Sequence, residues 1–220
     1  MIELENISLR YEDGPPILHD VSLHIEPGSF HFLTGKSGAG KTSLLKLIFL
    51  ALRPSRGKLS MFGKDIASLS RTELPEIRRQ IGVIFQDFRL LNHLSVYENV
   101  TLPLRIAGQK ELDYRKNAVE LLSWVGLGDR LMSLPETLSG GEKQRAAIAR
   151  AVIARPRLII ADEPTGNVDW EIGFRLLRLM EELNKMGTTV ILATHDKKIW
   201  EQIDHPRLHI ADSNLERITS

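Results

Sequence analysis

Gly35-Lys36-Ser37-Gly38-Ala39-Gly40-Lys41-Thr42 is a run that can hold a polyphosphate. It follows the pattern G-x-x-x-x-G-K-[ST], with a strand pattern before it and a helix pattern after it. Glycines let such a loop wrap so that successive backbone N–H groups point inward at phosphate oxygens. The helix N-terminus adds its partial positive charge. Lys41 can then reach the β- and γ-phosphates of a nucleoside triphosphate, Thr42 can place its hydroxyl on Mg²⁺, and Ser43 beside it is counted with the nucleotide-binding residues. The plainer alternative, a glycine-rich turn without a ligand, is disfavoured by the strand–loop–helix context. Asp162-Glu163 closes the apolar run Leu158-Ile159-Ile160-Ala161. Beside a phosphate loop, a carboxylate at such a strand end can hold the same Mg²⁺. Its neighbour Glu163 can orient or deprotonate a water. Two solvated acids remain the bland alternative.

Leu138-Ser139-Gly140-Gly141-Glu142 opens another helix, since Ser139 and Glu142 have the spacing of a capping box. Two glycines bare the backbone where the helix N–H groups are free, which makes a second anion-ready terminus. A well-capped structural helix would look the same. One nucleotide needs only one phosphate cradle, so the second suggests a phosphate held by another copy of the chain. His195 ends the strand pattern over 188–194, which should lie beside the Asp162 strand. It can contact a γ-phosphate or serve structure alone. Gln86 follows the strand pattern 81–85, and its side-chain oxygen can join the Mg²⁺ shell. Tyr11 lies just past the first strand and can either stack on adenine or pack as a surface tyrosine.

These residues need elements to position them. Val21, Leu23 and Ile25 alternate with Ser22 and His24 as in a half-buried strand. Strands are also expected over 29–33, 58–62 and 81–85, and a helix over 41–52. Helical patterns dominate from 87 to 136, with a capping box at Ser95 and Glu98 and a helix over 112–125 closed by Gly126. The Ser139 helix should run to about 154. The runs 158–161 and 188–194 suit strands buried on both faces of a parallel sheet. A helix over 170–186 carries Phe174, Leu177, Met180 and Leu183 on one side, and a terminal hairpin is expected over 207–220.

Composition bounds the remaining choices. The 220 residues are 42% hydrophobic and 26% charged, with a net charge of +1, which suits a folded domain. Nucleic acid is not expected as the main partner, because there is no basic excess. With no cysteine, disulfides, thiolate zinc sites, iron–sulfur clusters and thiol catalysis are excluded. No apolar run is long enough to span a bilayer, and the N-terminus lacks a signal-peptide pattern. The chain is expected in the cytosol, with any membrane attachment made through a partner.

In order along the chain, the phosphate loop, Gln86, the 138–142 segment, Ile160-Ala161-Asp162-Glu163 and His195 resemble an ABC-type ATPase domain over essentially the whole sequence. The stretch Asp162-Glu163-Pro164-Thr165-Gly166-Asn167-Val168-Asp169 is similar to the subgroup of lipoprotein-release, macrolide-export and bacterial cell-division ATPases. Resemblance to the cell-division branch is carried by the stretches 32–41, 78–87, 96–100 and 102–104. It implies an α/β fold, a P-loop NTPase core with an N-terminal antiparallel β subdomain and a helical insert. The whole of 1–220 would be one domain, with the core over about 1–86 and 157–220 and the insert over about 87–156. It implies a homodimer formed on ATP binding, each ATP lying between one phosphate loop and the other chain's Ser139, Gly140, Gly141 and Glu142. Glu163 would be the general base and His195 would contact the γ-phosphate, with Lys41 and Gln86 completing the catalytic set.

The resemblance further implies an FtsX-like transmembrane partner, met by about 87–104 at the cytoplasmic face of the membrane. Other division proteins would join at the division site, and ATP-driven motion would activate cell-wall hydrolases. A transport ATPase of the lipoprotein-release or macrolide-export kind is the alternative, and a soluble nucleotide switch that barely turns over is a third reading. Three departures from the family pattern stand out. Lys41-Thr42-Ser43 replaces the usual Lys-Ser-Thr, Leu50 stands where a glycine is usual, and Val168 where a leucine is usual.

Overall fold

The computed structural model describes residues 1–12, 14–166 and 170–218, the side chains of 170–172 excepted. Asn167, Val168 and Asp169, part of the stretch that suggests the subgroup, lie outside the described residues. The chain opens with strands β1 (Ile2–Leu9), β2 (Leu18–Ile25) and β3 (Phe30–Gly35), then helix α1 (Lys41–Ile48). Strands β4 (Arg56–Met61) and β5 (Lys64–Asp65), helix α2 (Leu74–Arg78) and β6 (Ile81–Ile84) follow. Three helices come next without an intervening strand: α3 (Val96–Ile106), α4 (Glu111–Trp124) and α5 (Gly140–Val152). The chain then returns through β7 (Leu158–Asp162), α6 (Trp170–Lys185), β8 (Thr189–Ala193) and α7 (Lys197–Gln202) to the hairpin of β9 (Arg207–Ala211) and β10 (Asn214–Ile218).

Two sheets result. The antiparallel one has the order β2-β1-β4-β5, and the other has the order β10-β9-β3-β8-β7-β6. In the second sheet β3, β6, β7, β8 and β9 run parallel, and β10 is antiparallel to β9. Its central strands are apolar at nearly every position because both faces are covered. Along β7, Leu158 and Ile160 join a core shared with α1 and the antiparallel sheet, while Ile159 and Ala161 join a second core with α6. This is the period-two alternation of a strand. The α3–α5 segment has its own core around Val96, Val100, Leu122 and Leu127. Helix α5 serves both neighbours, with Ala146 and Ala149 in that core and Ile148, Ala151 and Val152 against the sheet.

Both expected capping boxes form: Ser95 accepts from the Glu98 N–H, Ser139 from the Glu142 N–H, and each glutamate reaches back to its cap. The terminal hairpin also forms, turning at Asp212 and Ser213, both with positive φ. Helix α1 is shorter than the expected 41–52. It ends at Ile48, because Leu50 takes φ 64 and turns the chain. The Ala51 N–H bonds the Lys46 carbonyl at 2.8 Å, the pattern of a left-handed helix end. Similarly, α5 ends at Val152 rather than near 154.

Candidate active site

Local chemistry explains how the loop between β3 and α1 is shaped. Gly35 has φ 150, and a Cβ there would sit 2.6 Å from the Ile210 carbonyl oxygen of β9. Gly40 caps α1 with φ 108 and offers no side chain to its N–H groups, so they stay open to an external acceptor. The Lys41 ammonium is largely buried and donates to the carbonyls of Gly35 (2.9 Å) and Lys36 (3.2 Å). A buried cation satisfied only by neutral carbonyls is a good receptor for a phosphate oxygen.

Across the loop, the Thr42 hydroxyl donates to Asp162 Oδ2 at 2.8 Å. Burial pushes the Asp162 carboxyl above its ordinary pKa; the Thr42 hydrogen bond opposes this, and the charge of Glu163 adds to the upward shift. This donor set fits Mg²⁺. Adjacent ligands of an octahedral Mg²⁺ at about 2.1 Å lie about 3 Å apart, close to the separation seen here. Hydroxyl and carboxylate are both hard oxygen donors, and a cation would relieve the cost of the buried carboxylate. Gln86 lines the same cleft.

Strands β7 and β8 are parallel neighbours with Asp162 opposite Ala193, which brings the residues beyond their ends together. Glu163 takes φ 50, its N–H bonds the Ala193 carbonyl, and its Oε1 accepts from both the His195 N–H (3.1 Å) and Nδ1 (2.7 Å). The Glu163 side chain is 13% exposed and that of His195 74%. The acid is therefore held inside the cleft and the imidazole faces outward.

All these groups line one cleft of about 780 Å³. Of the expected phosphate-loop residues, Gly35, Lys36, Ser37, Gly38, Gly40, Lys41, Thr42 and Ser43 line it, while Ala39 packs toward the core. Tyr11 is not among the lining residues; its hydroxyl lies 3.2 Å from Ser43 Oγ and the residue is 44% exposed. Ser139, Gly140, Gly141 and Glu142 do not line the cleft, and Ser139 and Gly140 are exposed. Sequence reasoning missed Ile17, Lys197, Trp200, Arg207 and His209, which also line it. The last two arrive because β9 pairs with β3, a long-range register that no local pattern signals.

A phosphate loop opening α1, an acidic pair closing the adjacent buried strand, an antiparallel β sheet and a helical segment between β6 and β7 define an ABC-type ATPase. Residues 18–166 match the ABC transporter family, and the chain belongs to it. The cell division ATP-binding protein FtsE of Escherichia coli K12 is 47% identical over 215 residues, covering 98% of this chain and 97% of that protein. FtsE of Bacillus subtilis is 39% identical over 217 residues, covering 99% and 95%. Among solved structures, the dimeric ATP-binding cassette MJ0796 in a post-hydrolysis state bound to ADP and Pi is similar with a TM-score of 0.92 at 33% identity, covering 100% of this chain and 98% of that one.

Proposed function

We propose that the chain is the ATP-hydrolysing subunit of a membrane complex that serves bacterial cell division, working as a homodimer beneath an FtsX-like transmembrane protein. The chemical part rests on one observation, the Glu163–His195 pair held at 2.7 Å in the cleft that also contains Lys41 and Thr42.

In this reading the open N–H groups at the start of α1 take the β-phosphate, and Lys41 exchanges its two carbonyls for β- and γ-phosphate oxygens. Thr42, Asp162 and Gln86 hold Mg²⁺, which when bound neutralises phosphate charge. Glu163 accepts a proton from the attacking water. His195, hydrogen-bonded through Nδ1, keeps that carboxylate in place and presents its other ring nitrogen toward the γ-phosphate. Tyr11, anchored through Ser43 near the start of α1, stacks on adenine. Ser139 and Gly140 are exposed and the 139–142 segment lies outside its own cleft, so the phosphate that Ser139, Gly140, Gly141 and Glu142 receive belongs to a second copy.

The division role is supported by near full-length similarity to FtsE proteins at 39–47% identity. Among the described residues no helix is long and apolar enough to cross a membrane; in this reading the FtsX-like protein holds the chain at the cytoplasmic face. A groove lined by Arg79, Phe85, Leu102, Pro103 and Ile106 lies between β6, α3 and α5. With the 87–104 segment it forms the surface for that partner. A transport role is the second reading, favoured by likeness to MJ0796, which is described as a bacterial ABC transporter cassette.

Two variants test the chemistry. Lys41→Ala should weaken ATP binding and abolish turnover. Glu163→Gln should keep binding, lose roughly 10²–10⁴ in rate and accumulate an ATP-bound dimer. Normal hydrolysis by Glu163→Gln would overturn the base assignment. Affinity purification from native membranes separates the two biological readings: co-purification of an FtsX-like protein supports the first, and of a transport permease the second.

A further inference from the structure

Gln144 lies in α5, just past the turn that opens with Ser139, and it is fully buried. Its Nε2 donates to the Pro164 carbonyl at 2.7 Å, while its Oε1 is buried without a hydrogen-bond partner. The orientation of the amide is fixed by that contact, since exchanging the two ends would set two oxygens against each other. A buried amide oxygen left unpaired costs free energy. The other end of the amide keeps its hold on the Pro164 carbonyl nonetheless.

The group it holds is the residue after Glu163. Glu163 sits at φ 50, a conformation that costs energy for a residue with a side chain. Its N–H is tied to β8, its carbonyl accepts from Gly166 at 3.2 Å, and its carboxylate is tied to His195. Each of those ties comes from the parallel sheet or from the loop itself. The Gln144 bond differs, because it comes from the helix whose exposed N-terminus lies outside this cleft.

We propose that Gln144 is a positioning residue for Glu163, and that through the Pro164 carbonyl it makes the carboxylate of one site respond to what the N-terminus of the same chain's α5 binds. The inference rests on the dimeric reading above, in which that terminus closes over the second copy's triphosphate. A helix moves as a unit, so closure displaces Gln144 with Ser139. The loop after β7 then follows the Pro164 hydrogen bond. The two ATP sites would thus be coupled, with the nucleotide in one helping to set the base in the other.

The test is a double-mutant cycle in the full-length protein. Gln144→Met keeps the volume and removes the donor. It should lower kcat about tenfold, leave KM for ATP within about twofold, and bring the Hill coefficient for ATP to about 1. In a Glu163→Gln background the same substitution should change the single-turnover rate by less than about twofold, because the group being positioned is gone. A merely structural residue would cost the same factor in both backgrounds, and that result would overturn the inference. So would an unchanged kcat, or a loss of ATP affinity in step with kcat. If Gln144→Met does not fold, Gln144→Asn, which keeps the amide but shortens its reach, replaces it with the same expectations. Glu163→Gln alone separates the two failures. If it hydrolyses normally, the base assignment falls and this inference with it; if it is inactive while Gln144→Met is normal, only this inference falls.

Discussion

Leu50 occupies a backbone conformation that suits glycine, with φ 64, yet its side chain is only 6% exposed in the core shared by the two sheets. The two effects oppose one another, and their sizes decide the outcome. Relieving the left-handed strain with Leu50→Gly should return about 1–2 kcal/mol. Removing a buried leucine should cost about 3–5 kcal/mol, and the extra freedom of glycine in the unfolded chain about 0.5–1 kcal/mol more. The variant is expected to be less stable by roughly 1.5–5 kcal/mol, lowering the melting temperature by several degrees or more in a chain of this size. A thermal unfolding curve at or above that of the parent would show that strain outweighs packing at this position. Glu163 tells the opposite story. Its φ of 50 is maintained by hydrogen bonds at its N–H, its carbonyl and its carboxylate rather than by burial of an apolar side chain, which accords with the base role proposed for it.

Helix α5 is braced at both ends to loops of its own cleft. Near its start Gln144 holds the loop after Glu163, and near its end the Arg150 guanidinium donates to the carbonyls of Phe88 (2.7 Å) and Arg89 (2.6 Å). Both of those residues have positive φ, so the segment after Gln86 is folded back on itself and pinned. Burial pulls the Arg150 pKa down from its ordinary value, but a guanidinium starts so high that it stays charged. Arg150→Met should remove two charge-assisted bonds and leave two carbonyls short of donors, costing about 2–3 kcal/mol. Hydrogen exchange should rise across 86–91 more than elsewhere, and Arg150→Lys should restore part of the protection; uniform loosening of the whole chain would contradict a local pin. These braces mark the limit of what the sequence discloses. The phosphate loop, the two serine caps, the buried strands β7 and β8 and the last hairpin follow from local spacing and are all in place. The early end of α1 depends on Leu50 trading strain for burial, a balance that the residue's type does not reveal. Arg207 and His209 reach the cleft only through the pairing of β9 with β3, and the partners of Gln144 and Arg150 are set by tertiary packing.

At the scale of the whole molecule, the groups proposed to act on one ATP are divided. Lys41, Thr42, Asp162, Glu163 and His195 share one cleft, while Ser139 and Gly140 stand exposed outside it. If a site needs both halves, it can be completed only by a second copy related by a two-fold axis, so that each chain lends its α5 terminus to the other. Complementation then follows from symmetry. Ser139→Arg keeps an intact cleft but spoils the terminus it offers, and Lys41→Ala keeps the terminus but spoils the cleft. Neither variant alone can complete a site, and each should show no turnover. Mixed in equal amounts, half of the dimers contain one chain of each kind, and in those one of the two sites is whole. Turnover should therefore return to about a quarter of the parent rate if the sites act independently. Coupling between sites of the kind assigned to Gln144 would hold the recovered rate below that fraction, because the chain with the intact cleft carries the damaged α5 terminus. A mixture as inactive as its components, with mixed dimers confirmed by differential tagging, would show that both sites must be whole for either to turn over. Full activity of Ser139→Arg on its own would show that each cleft works without its neighbour.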